Sequence, residues 1–94
     1  MENESNSKLL HEAAKSWIKK SMDFDVIRYI SKPQGADNYM ILIISENERR
    51  ASLLESSGRS TIPIQEALLT DRTQVESLAK RIKLIPGPFP DKPT

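Results

Sequence analysis

The most constraining stretch of this 94-residue chain is Met40-Ile41-Leu42-Ile43-Ile44, where five apolar residues stand in unbroken succession. A strand sends successive side chains to opposite faces of a sheet, so this run is apolar on both faces wherever it pairs. Strands of that kind lie centrally or are covered on both sides. As a helix the run falls far short of the roughly 20 apolar residues that cross a bilayer, and no membrane partner is expected.

The flanking residues extend the strand to Tyr39 to Ser45 and supply its neighbours. Phe24 to Lys32 is rich in β-formers. In that strand Val26 and Ile30 share a face with Arg28 and Lys32, while Ile27 and Tyr29 point the other way. Pro33 to Asn38 and Glu46-Asn47-Glu48 have turn chemistry, and Arg49 to Glu55 follows as a third strand. Two short turns in succession imply an antiparallel meander.

Helical spacing brackets these strands. Leu9, Leu10, Ala13, Ala14 and Trp17 recur at helical intervals, which predicts a first helix from Ser7 to about Ser21, capped by Asn6 or Ser7 and closed by Lys19 and Lys20. Near the other end, Val75, Leu78, Ala79 and Ile82 form an i, i+3, i+4, i+7 stripe in a helix starting near Thr70 and Asp71, with Thr73 and Glu76 at capping-box spacing. Burying Val75, Leu78 and Ile82 contributes roughly 5 to 9 kcal/mol before entropy, against about 1 kcal/mol for a cap, so the stripe decides that this helix forms. Ser56 to Ser60 reads as a flexible connection. Residues 61–64 read as either a short edge strand or the start of a helical turn over 65–69, with the turn favoured. The expected fold is α+β: a helix, a three-stranded antiparallel meander, a short helical turn, and a C-terminal helix packed on one face of the sheet. Residues 1–6 are expected to be a flexible N-terminus, 7–85 a single domain, and 86–94, which hold four of the six prolines, a proline-rich disordered tail.

The residue inventory excludes several chemistries. The chain has no cysteine, hence no disulfide, thiolate nucleophile or cysteine-held metal. The acidic, polar start lacks the basic and apolar regions of an export signal, and a reducing, cytoplasmic location is expected. His11 is the single histidine and falls with Lys8, Lys15 and Lys19 on the polar side of the first helix, as a solvated surface residue. No second histidine completes a triad or metal site. Asp23, Asp25, Glu46 and Glu48 read as turn and cap residues, and Gly35, Gly58 and Gly87 are too scattered to cradle a phosphate. No catalytic residue, metal or cofactor is expected, and the chain reads as non-enzymatic.

What remains is binding. With fourteen basic and thirteen acidic residues the net charge is +1, too small to draw polyanions to the molecule as a whole. The sequence therefore reads as a small protein-binding module of the inhibitor, adaptor or assembly-factor type. It docks through the exposed sheet face or an edge strand with the loops 33–38 and 56–60, and Arg28, Tyr29, Lys32, Tyr39, Arg49, Arg50 and Arg59 are the candidate contact residues. The alternative is nucleic-acid binding by basic pairs on the sheet and helix surfaces, although two tyrosines make a poor stacking platform. Two open sheet edges also leave room for a homodimer. Trp17 is expected in the core, and Pro90-Asp91-Lys92-Pro93 has P-x-x-P spacing that reads as a solvated tail.

Overall fold

The computed structural model describes residues 2–21, 25–32, 37–85 and 87. The elements run α1 (Glu2–Ala13), β1 (Ile18–Ser21), β2 (Val26–Ser31), β3 (Tyr39–Ser45), β4 (Arg50–Ser57), β5 (Ser60–Leu68) and α2 (Arg72–Lys83). The strands form one antiparallel sheet in the order β1-β2-β3-β4-β5. The apolar run is indeed the central strand. Leu10 and Ala13 of α1 and Val75, Leu78 and Ile82 of α2 join Tyr29, Leu42, Ile44 and Leu53 in one core, so both helices cover the same face of the sheet. The loop residues 33–36 and the P-x-x-P tail lie outside the described residues.

The sheet has five strands, not the expected three, and both additions correct a helical expectation. The first helix ends at Ala13 and not at Ser21, after which the Trp17 amide bonds the Ala14 carbonyl at 2.9 Å and Ile18–Ser21 pairs with β2. Helical spacing through Trp17 recorded which residues face the core: Leu10, Ala13, Ala14 and Trp17 are all buried. It did not record where the helix stops, because strand pairing outweighs local propensity. The helix also begins at Glu2, upstream of the expected start.

The favoured helical turn over 65–69 is likewise overturned, since β5 runs through it to Leu68. Gln65-Glu66-Ala67-Leu68-Leu69 is made of good helix formers, yet Ala67 and Leu69 are buried while Leu68 is exposed, a period of two. Pro63 is accommodated because β5 is an edge strand and its register with β4 shifts opposite Leu53 and Leu54, a bulge of the kind that tolerates a missing amide. The connection read as flexible is a tight hairpin: Ser57 pairs with Ser60, and Gly58 takes φ +58°, the left-handed conformation that such loops reserve for glycine.

The last helix matches its stripe, with Val75, Leu78, Ala79 and Ile82 buried. Its cap is Asp71, whose Oδ1 accepts from the Gln74 amide at 3.2 Å, and not Thr73. Asn6 fastens α1 to the far end of the chain. Its Nδ2 donates to the Leu69 carbonyl at 2.7 Å, and its Oδ1 accepts from Arg72 Nη1 at 3.0 Å. The Ser7 hydroxyl donates to the Glu46 carboxylate in the β3–β4 turn.

Candidate interaction surface

With both helices on one side, the opposite sheet face has no covering element among the described residues. Its composition follows from the strand register. Ile18, Ile30, Ile41, Leu54 and Pro63 are successive cross-strand partners, so one apolar row crosses all five strands. Ile18 at one end is 49% exposed. The adjacent row is Lys20, Arg28, Ile43, Ser52 and Glu66, basic at the β1–β2 end and acidic at β5. The continuous apolar run in β3 thus serves two purposes: Leu42 and Ile44 fill the core at 0% and 1% exposure, while Ile41 and Ile43 are half-buried on the open face.

Four of the seven predicted contact residues come together here. Arg28, Lys32, Tyr39 and Arg50 share the open face, and the Lys32 ammonium lies 5.3 Å from the Tyr39 ring centroid, within cation–π range. Tyr39 is 46% exposed. Arg28 has no ion pair among the described residues, and its Nε is buried without a hydrogen-bond partner there.

The other three lie elsewhere. Tyr29 points to the helical side and is 4% exposed, as the strand alternation requires. Arg49 sits in the β3–β4 turn at φ +54°, where its amide bonds the Glu46 carbonyl at 3.2 Å. Arg59 is at the tip of the β4–β5 hairpin. Sequence reasoning missed Ile18, Leu54, Pro63 and Glu66 as members of the surface, because β1 and β5 were not expected and their register was therefore invisible.

The sheet edges are poorly suited to strand addition. One edge, β1, is four residues long and carries Lys19 and Lys20. The other edge contains Pro63 and a register irregularity. Short, lysine-bearing and proline-bearing edges all discourage pairing with another strand.

His11 is half-buried, which corrects its expected surface position. Its Nδ1 lies 2.6 Å from the Tyr29 Oη, and the two rings are 5.6 Å apart and tilted. Burial holds the imidazole below its ordinary value of 6.5, the Lys19 charge adds to this, and Glu46 opposes it. Burial also pushes the Tyr29 phenol up. The neutral imidazole and the phenol share one hydrogen bond, its direction set by the imidazole tautomer. The unfolded chain then takes up its proton at higher pH than the folded one, so unfolding free energy rises with pH from the folded value to 6.5 and is lost on acidification through that window. Urea midpoints measured from about pH 7.5 down to about pH 5.5 are expected to fall, and His11→Gln is expected to flatten that part of the profile. An unaltered slope in the variant would remove His11 as the cause.

Among the described residues no group of three metal-ligating side chains is present, and no helix is long and apolar enough to cross a membrane. The grooves beside α2 are lined by residues such as Arg72, Glu76 and Lys80 on one side and Glu12, Ser16 and Lys83 on the other. Arg72 and Glu76 pair with each other at 2.9 Å. Comparison with protein-family models, with curated proteins and with solved structures finds no match to this chain.

Proposed function

We propose that this protein is a non-enzymatic protein-binding module, of the adaptor, inhibitor or assembly-factor type, and that it docks through the open face of its sheet. The observation that carries this reading is the uninterrupted row Ile18, Ile30, Ile41, Leu54 and Pro63 on a face that neither α1 nor α2 covers. A contiguous apolar surface with a charged border is the chemistry of a protein interface. The face is favoured over the edges, because β1 and β5 both carry residues that oppose strand addition.

A photo-crosslinking amino acid placed at Tyr39 tests this in extract of the native cells, with the same group at Lys80 on the exposed side of α2 as a control. Protease-sensitive adducts from position 39 and none from position 80 are expected. Absence of adducts at position 39 would remove the reading.

A second reading, nucleic-acid binding, has the support of Lys20, Arg28, Lys32 and Arg50 on that same face. It requires nuclease-sensitive adducts at Tyr39 and an affinity that falls with log salt at a slope of about −3 to −4 for duplex DNA if all four cations meet phosphates. The apolar centre of the face and the exposed Glu66 favour protein.

A further inference from the structure

We propose that the occupant of the open face is a second copy of this chain, giving a two-fold dimer packed sheet on sheet; the inference rests on the face-docking reading above. The pattern of the face is self-complementary. In face-to-face packing the two-fold axis lies in the interface plane. An axis along β3, the central strand, keeps each row opposite its own counterpart while exchanging the β1 end for the β5 end. The apolar row then meets itself, with Ile41 near the axis. The charged row meets itself reversed, so that Glu66 of the second copy comes down against Lys20 and Arg28.

Three further observations agree. Arg28 is partly exposed on that row, where a carboxylate from across the interface balances its charge. The ion pairs among the described residues join Lys15 to Glu12 and Arg72 to Glu76, so neither engages Glu66 or Arg28. Five strands about 4.8 Å apart and six residues long give a face of roughly 24 by 20 Å, or about 1,000 Å² over two copies, which reaches the lower bound of specific interfaces. An axis across the strands instead sets Lys20 against Lys20 if it follows the charged row, or Arg28 against Lys32 if it follows the apolar row. The charges therefore select one orientation. Lys32 and Arg50 fall at the border, where solvent screens them.

Sedimentation equilibrium over a concentration series tests the proposal. The full chain is expected to approach a mass of about 21 kDa, twice 10.7 kDa. Ile41→Asp is expected to sediment as a monomer with its circular dichroism and Trp17 fluorescence retained. Arg28→Glu and Glu66→Arg alter exposed or half-exposed side chains and keep the test decisive should Ile41→Asp fail to fold. Each alone is expected to weaken dimerisation by about tenfold or more, and an equimolar mixture of the two to recover it in part, since in the mixed dimer one contact keeps Glu66 against Lys20 and Arg28 and the other again sets opposite charges at positions 28 and 66. A chain that remains monomeric at several hundred micromolar overturns the proposal, as does a dimer indifferent to these substitutions or a mixture that recovers nothing. A monomer that still gives adducts from Tyr39 to a different protein overturns the dimer alone and leaves the face-docking reading standing.

Discussion

Replacing Leu53 with alanine is expected to lower the unfolding free energy by about 2 to 5 kcal/mol, whereas Leu54→Ala, measured at low protein concentration, is expected to cost under about 1.5 kcal/mol. The two residues are adjacent in β4 and chemically identical, and they differ only in the face they occupy. Leu53 is 0% exposed opposite Leu42 and Gln65, so its removal leaves a cavity beneath the helices. Leu54 lies half-buried on the open face between Ile41 and Pro63, where water fills the space. For a domain of this size the Leu53 loss corresponds to a melting temperature lower by some 10 to 30 °C. Equal losses at the two positions would show that the second face is also covered in the isolated chain.

Asn6→Ala is the other substitution with a large expected effect, about 2 to 3 kcal/mol in urea unfolding. The Asn6 side chain is 3% exposed and joins residues 63 and 66 positions away in sequence. Its loss removes a charge-assisted bond from Arg72 and takes from the Leu69 carbonyl its side-chain donor. Asn6→Asp separates the two contributions: the Arg72 contact survives and strengthens while the donor to Leu69 is lost. An alanine variant as stable as the parent would mean that α1 is held by its apolar face alone.

The sequence displayed its periodicities more clearly than its boundaries. The Val75 stripe is read correctly because four buried positions at helical spacing outweigh any local alternative. The alternation in β2 correctly sets Arg28 and Lys32 apart from Tyr29, which already implies that the seven candidate contacts cannot all share one surface. The two missed strands share a cause. Ile18-Lys19-Lys20-Ser21 continues a helical pattern, and residues 65–69 are helix formers, so each becomes a strand only because a neighbour offers a ladder of backbone hydrogen bonds. That neighbour is set by tertiary structure. The charged row with Glu66 at its end was illegible for the same reason, since it exists only once β5 is in register with β4.

The pairing of α1 with α2 has a consequence for how the chain is made. Contacts along the meander are between sequence neighbours and close short loops, but the α1 to α2 contact joins the first helix to the last and closes nearly the whole chain. During synthesis α1 emerges before the sheet, yet Leu69 and Arg72, which hold Asn6, emerge only after the strands. Until then β3 is bare on both sides. Nascent chains halted before α2 are therefore expected to be the aggregation-prone species of this protein, and its greatest need for a chaperone falls between the emergence of the sheet and that of α2.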